Sequence, residues 1–224
     1  MIRPQAVIVG AGAGLSASLA RRLAARGLGV TLAARDTSDL DALAGETGAR
    51  RVNMDGSDPD AMAALFADLP GHLEVAIYNP SARQRGPIVD LDPEAVRRAI
   101  EVTAFGAFLM AQQAVRLMME NDGPHRGTIL FTGASAGVKG FARSAPFAMG
   151  KFAQRGLAQS LSPELHPQGI HVAWINIDGA IGDRDAGPDR LDPDAIADAY
   201  LMLHDQPVSA WSHELVLRPM NEGF

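Results

Sequence analysis

The chain has 224 residues, 47% of them hydrophobic and 21% charged, which is the balance of a globular domain long enough to bury its own core. It contains no cysteine, which excludes disulfides, thiolate metal sites and cysteine nucleophiles, and its formal charge of −6 gives no basic footprint for nucleic acid. Its apolar stretches are of strand length or broken by charge, so none is expected to span a membrane, and the start Met1-Ile2-Arg3-Pro4 lacks a signal-peptide apolar region, so a cytoplasmic protein is expected.

Short apolar runs alternate with helix-period segments along the chain. That pattern predicts an α/β fold in one domain over 1–224, a doubly wound parallel sheet of about seven strands with helices on both faces. The first predicted strand, Ala6–Val9, passes through Gly10-Ala11-Gly12-Ala13-Gly14 into a helix over Leu15–Arg26. Residues without side chains let backbone approach a pyrophosphate, and the helix start adds unpaired N–H groups and a positive dipole end. Gly10, Gly12, Ala13, Gly14 and Leu15 are therefore the candidate dinucleotide cradle; a tight turn with no ligand is the plain alternative. The common dinucleotide spacing wants a small residue where Leu15 stands.

The second strand, Val30–Ala34, is followed by Arg35 and Asp36. An acid closing this strand would bind the ribose hydroxyls of NAD, whereas a guanidinium matches the 2′-phosphate of NADP. With Ala34 at the closing position and Arg35 next, NADP(H) is expected over NAD. Asp36 reverses that preference if the register shifts by one or two, and Arg35 as a solvated loop residue is the other alternative.

Further on, a helix is predicted over Leu40–Glu46, a strand over Arg51–Met54 running into Asp55-Gly56, and a helix over Ala61–Leu69. A strand over Val75–Tyr78 leads into Asn79-Pro80-Ser81, then one long helix over Glu94–Asn121. The strand Thr128–Thr132 precedes Ser135; the helix Phe147–Leu165 contains Pro163, which predicts a kink or early end. The strand His171–Asn176, a polar loop over Gly179–Arg190 placed as an active-site flap, the helix Asp194–His204 and the strand Leu215–Leu217 complete the chain. Asp58-Pro59, Asp92-Pro93 and Asp192-Pro193 each offer a cap acceptor followed by proline, which fixes three helix starts. The six histidines lack metal-ligand spacing, and His125, His166 and His171 are placed on the edge of the sheet away from chemistry. Asp183, Asp185, Asp189 and Asp192 read as a solvated loop and cap.

In order and spacing, these segments resemble the short-chain dehydrogenase/reductase family over nearly the whole chain. Gly10-x-x-x-Gly14-x-Ser16 is similar to the family's Gly-x-x-x-Gly-x-Gly, with Ser16 for the last glycine. Asn53-Met54-Asp55-Gly56 resembles the segment whose carboxylate meets adenine, and Tyr78-Asn79-Pro80-Ser81 the Asn-Asn-Ala-Gly that lines the ribose. Thr132-Gly133-Ala134-Ser135-Ala136 resembles the segment of the catalytic serine, at Ser135, with Ser144 as the alternative. Ile177-Asp178-Gly179-Ala180 stands where the family has Pro-Gly, so the backbone from Gly179 to Ile181 is implied to meet the nicotinamide carboxamide.

Ala145–Ala153 takes the place of Tyr-x-x-x-Lys: Lys151 is the lysine, but Phe147 stands at the tyrosine. Thr103 occupies the position of the relay asparagine. In the family the tyrosine exchanges the substrate proton, the serine orients the substrate oxygen, and the lysine holds the ribose and lowers the tyrosine pKa. Ser135 and Lys151 survive here while the general acid is gone, leaving water or Tyr78 as a substitute donor. The resemblance implies an oxidoreductase moving hydride between NADP(H) and a small carbonyl or alcohol substrate; the alternative is a catalytically impaired NADP(H)-binding sensor or scaffold. It also implies a homodimer or homotetramer, built on the helices carrying Ala104-Phe105-Gly106-Ala107-Phe108 and Phe152-Ala153.

Overall fold

The computed structural model describes residues 3–183 and 187–223, so Met1, Ile2 and Asp185 of the acidic loop lie outside the described residues. Seven strands form one sheet in the order β3-β2-β1-β4-β5-β6-β7, and every neighbouring pair is parallel. They are β1 (Gln5–Val9), β2 (Gly29–Ala34), β3 (Arg50–Asn53), β4 (Leu73–Tyr78), β5 (Gly127–Thr132), β6 (Ile170–Ile177) and β7 (Glu214–Leu217). The central strands β1, β5 and β6 are buried at every position, which is why they read as mostly apolar runs rather than alternating ones.

One apolar layer packs α1 (Leu15–Ala25), α2 (Asp41–Thr47) and α7 (Pro193–His204) on one face of the sheet. The other face carries α3 (Pro59–Ala67), α5 (Gly106–Met118) and α6 (Ala145–Leu165), with α4 (Pro93–Ile100) ahead of α5. The three Asp-Pro starts are caps as expected: Asp58 accepts from the Asp60 and Ala61 N–H groups, Asp92 from Glu94 and Ala95, and Asp192 from Asp194.

Two helix expectations need correction. The segment read as one helix over Glu94–Asn121 is α4 and α5 joined by a π-helical turn over Glu101–Phe105 and ending at Met118. A π turn inserts one residue into the hydrogen-bond ladder without changing the apolar period enough to see, and such turns are frequent at functional sites. Pro163 does not end α6 early, because the helix runs through it to Leu165. In the last turn a proline removes one hydrogen bond while its fixed φ stays helical.

Strand order reverses between β1 and β4, since β2 and β3 extend one way and β5 to β7 the other. Crevices at the carboxyl ends of strands flanking such a reversal are where this architecture binds ligands. At the opposite, amino end of the sheet, His166 and His171 pack on the Trp211 ring at 5.0 and 4.9 Å, and His125 lies 5.4 Å from it.

Candidate active site

At the end of β1, Gly10 adopts φ +81°, and a Cβ there would sit 2.6 Å from the Pro80 ring. Only glycine tolerates both the dihedral and the approach. Ser16, at the position of the family's third glycine, is buried and ties the turn together: its hydroxyl donates to the Gly10 carbonyl at 3.2 Å and accepts from Asn79 Nδ2 at 2.8 Å. The sequence shows this serine only as a replacement for the family's last glycine and gives no sign of its bridging role. Gly12 and Gly14 face open space. Helix α1 begins with Gly14 as a cap that offers no side-chain acceptor, and its first turn carries no acid. That leaves backbone N–H groups and a positive dipole end facing the opening, which fits a pyrophosphate. Ala13 belongs to the turn, while Leu15 starts α1 and points into the core at 5% exposure.

A cavity of roughly 910 Å³ adjoins this turn, lined by Gly10, Arg35, Asp55, Gly56, Pro80 and Ser81 among others. Ala34 is the last residue of β2, paired with Asn53 of β3, so Arg35 and Asp36 follow the strand as expected. Arg35 is exposed, and the Asp36 carboxylate turns back to accept from the Ser38 N–H at 2.9 Å, which lowers its pKa. The Asp55 carboxylate accepts from the Ser57 N–H and hydroxyl at 2.9 and 2.6 Å and pairs with Arg98. Gly56 packs under Val9 and Tyr78.

The second cavity, roughly 830 Å³, is lined by Asn79, Ser135, Phe147, Lys151, Gly179 and Ile181, together with Ser144. Ser81 and Arg83 line both cavities and join them. Lys151, one turn beyond Phe147 in α6, is 2% exposed and donates to the Thr132 carbonyl at 2.5 Å and to Gln154 Oε1 at 3.3 Å. Burial, reinforced by the charge of Arg83, pulls its pKa down to about 7. The Arg83 guanidinium carbon sits 4.6 Å from the Phe147 ring centroid, a cation–π contact over the face of that ring.

Ser135, in the turn after β5, donates its hydroxyl to Asp178 Oδ1, and Arg218 holds Oδ2 through Nε at 2.9 Å and through Nη2. Burial pushes the Asp178 carboxyl up, but the Ser135 hydroxyl, the Arg218 guanidinium and the charge of Lys139 outweigh it and keep it below the usual carboxylate range. Sequence reasoning saw Asp178 only as a departure from Pro-Gly. Its partners lie 43 and 40 residues away, so no local spacing announces them. Arg83 gave no signal beyond its place after Asn79.

The one side chain expected as a substitute donor falls away, and the changed relay position has another task. The Tyr78 hydroxyl is buried, donates to the Val102 carbonyl at 2.5 Å, has its pKa raised by burial, and borders the other cavity, so it is no proton donor for the substrate site. Thr103, in the π turn, uses its hydroxyl to accept from the Ala82 N–H at 3.1 Å, which anchors the loop after β4 instead of relaying protons. Among the described residues no group of three or more His, Asp or Glu could hold a metal ion, and no helix is long and apolar enough to cross a membrane.

The family model for short chain dehydrogenase matches residues 4–180. The chain is 32% identical over 185 residues to a trans-4-hydroxycyclohexanecarboxylate dehydrogenase of Sinomonas cyclohexanicum, covering 76% of this chain and 70% of that one. It spans 62% of the length of another curated relative. A short-chain dehydrogenase structure from Rhodopseudomonas palustris superposes with a TM-score of 0.85 at 34% identity, covering 96% of this chain and 98% of that one. A metagenomic short-chain oxidoreductase in complex with NADP gives 0.84 at 27% identity, covering 96% and 97%.

Proposed function

This chain belongs to the short chain dehydrogenase family, and we propose that it is an oxidoreductase moving hydride between NADP(H) and a small carbonyl or alcohol substrate. The observation that carries the reading is the convergence of Asn79, Ser135 and Lys151 on the second cavity, joined through Ser81 and Arg83 to the cavity beside the glycine turn. When bound, the dinucleotide supplies or accepts the hydride. The remaining work falls to the chain. Gly10, Gly12, Ala13, Gly14 and Leu15 cradle the pyrophosphate, and Arg35 meets the 2′-phosphate. Asp55 and Gly56 bracket adenine, with Pro80 and Ser81 lining the passage between the cavities. Asn79 and Lys151 hold the nicotinamide ribose, the backbone of Gly179 and Ile181 meets the carboxamide, and Phe147 packs beside the ring. Ser135 contacts the substrate oxygen.

NADP is favoured over NAD by the position of Arg35 and by the turn of the Asp36 carboxylate onto the Ser38 N–H, and the NADP-bound metagenomic relative supports that choice. A homodimer is the proposed assembly, since Phe105, Phe108, Met149 and Phe152 stand 42–51% exposed along α5 and α6 and the turn before α5.

Calorimetric titration with NADPH and NADH, followed by a carbonyl and alcohol screen at the nicotinamide absorbance, tests the reading. NADPH should bind more tightly than NADH, and at least one substrate should turn over. Tight binding without turnover would instead favour the sensor, and no binding of either dinucleotide would overturn both.

A further inference from the structure

We propose that Ser135 and Asp178 form a proton relay for alcohol oxidation, in which Ser135 takes the substrate hydroxyl proton while passing its own to Asp178. The relay rests on the oxidoreductase reading above and supplies the proton acceptor that Phe147 cannot be.

A serine hydroxyl has one hydrogen. In this site that hydrogen is committed to Asp178 Oδ1. Ser135 lines the cavity and Asp178 stands behind it, 6% exposed and outside the cavity wall. Toward the cavity Ser135 therefore presents lone pairs, which suit the O–H of an alcohol and not the bare oxygen of a carbonyl. Arg218 occupies Oδ2 and fixes the carboxylate so that Oδ1 faces the serine. The arrangement follows the general logic of a hydroxyl, a base and a third group that orients the base. Lys151 cannot play the same part with Ser135, because its ammonium is spent on the Thr132 carbonyl and on Gln154.

In the oxidation the alcohol C–H bond breaks and its hydride goes to the oxidised nicotinamide of NADP. The alcohol O–H bond breaks, its proton goes to Ser135 Oγ, the Ser135 proton goes to Asp178 Oδ1, and the C=O bond forms. Running backward, carbonyl reduction needs a proton resting on Asp178, which Arg218 opposes; reduction at neutral pH is the slower direction.

The charged groups facing this pair are Arg218 and Lys139 beside Asp178, Glu222 beside Gly179, and Lys151, Arg83 and Arg85 on the cavity wall. Because Asp178 is held below the usual carboxylate range, it is in its accepting form throughout neutral pH. Oxidation at saturating NADP+ should then be flat from about pH 5 to about pH 9 and fall only on the acid side. A neutral Lys151 acting as base would instead make the rate climb through about pH 7.

The test is NADP+-linked oxidation of secondary alcohols, beginning with cyclohexanol and the hydroxycyclohexanecarboxylates, across that pH range. Asp178→Asn should lower kcat by roughly 100-fold or more while the KM for NADP+ changes little. Arg218→Met should move the acid limb to higher pH, which a purely structural role would not do. A readout independent of turnover is carbon-13 NMR of aspartate-labelled protein. Ser135→Ala should raise the titration of the Asp178 carboxyl, whose resonance is assigned from the Asp178→Asn spectrum or, if that variant does not fold, from its shift in Arg218→Met. Alcohol oxidation that survives Asp178→Asn unchanged, a wild-type profile that rises through pH 7, or an Asp178 titration indifferent to Ser135 overturns the relay and leaves the oxidoreductase standing. Absence of hydride transfer in either direction overturns both.

Discussion

Lys151 at the carboxyl end of the sheet and His171 at its amino end are both basic side chains shut away from water, at 2% and 0% exposure. Burial is the leading cause of a depressed pKa at each, to about 7 for the lysine and about 4 for the histidine. Their surroundings differ. His171 stacks on the Trp211 ring with the planes 3° apart, meets the His166 ring edge-on at 5.8 Å and bonds the Ser212 carbonyl at 2.8 Å, so its neutral form is held by rings. Lys151 has a carbonyl and an amide oxygen for partners, no carboxylate, and a cavity in front of it. A buried base packed by rings is a structural part. One held beside an opening without a counter-charge is a cost that stability alone would not retain, and such costs collect at functional sites.

The sharpest way to break that contrast is Lys151→Met. A lysine whose folded pKa is depressed takes up its proton first in the unfolded chain, so stability is full above about pH 10.5 and is lost as pH falls toward about pH 7. At about 1.4 kcal/mol per pH unit the upper bound is about 5 kcal/mol, and relaxation will leave less. Methionine removes that cost, so urea unfolding at pH 7 should find the variant more stable by a few kcal/mol, with NADPH binding weakened. A variant less stable than wild type would make Lys151 a structural part like His171.

His171 gives the next largest effect. Its folded pKa also lies below the unfolded value, so stability is full above about pH 6.5 and declines as pH falls toward about pH 4. At the same 1.4 kcal/mol per pH unit the upper bound is about 3.5 kcal/mol, and relaxation will leave less. His171→Phe keeps a ring on Trp211 but cannot titrate, so its melting temperature should fall less between pH 7 and pH 4.5 than that of wild type. An unchanged acid slope would place the sensitivity in His125, His166 or His204, whose pKa values burial also lowers.

The same two ends mark what the sequence could reveal. The inner strands were legible because buried parallel strands are largely apolar runs, the half-exposed β3 and β7 by their short apolar pieces and place in the alternation, and three helix starts because Asp-Pro states a cap in two letters. His125, His166 and His171 lie at the amino end of the sheet as expected, since each stands just before or at the start of a strand. The π turn was hidden because one inserted residue leaves the apolar period nearly intact. The cavity residues Asn79, Ser135 and Lys151 were legible as pattern, but what Ser135 does was not: its hydrogen is assigned by Asp178 and Arg218, contacts that exist only once β5, β6 and the segment after β7 lie side by side.

Phe147→Tyr sharpens the comparison from the cavity side. It restores a phenol one turn before Lys151, and a positioned general acid is worth roughly 10²–10⁴-fold. Carbonyl reduction by NADPH should rise by about 100-fold, the low end, because Arg83 covers the face of that ring and must yield to substrate. No gain would mean that Arg83 now occupies the position from which a phenol acts; adding Arg83→Ala should then release it.

The smallest effect belongs to Arg35, which is basic like Lys151 and His171 but stands in water. An exposed charge keeps its ordinary solvation, so it can attract a 2′-phosphate only through a screened, high-dielectric interaction. Arg35→Ala should therefore weaken NADPH by about tenfold, leave NADH unchanged, and lose most of its effect at high salt, all readable by calorimetry at two ionic strengths. Burial makes Lys151 costly and strongly shifted, and exposure makes Arg35 inexpensive and only mildly selective. A loss much larger than tenfold, or one insensitive to salt, would show that the bound dinucleotide buries Arg35 and gives it the energetics of the cavity interior.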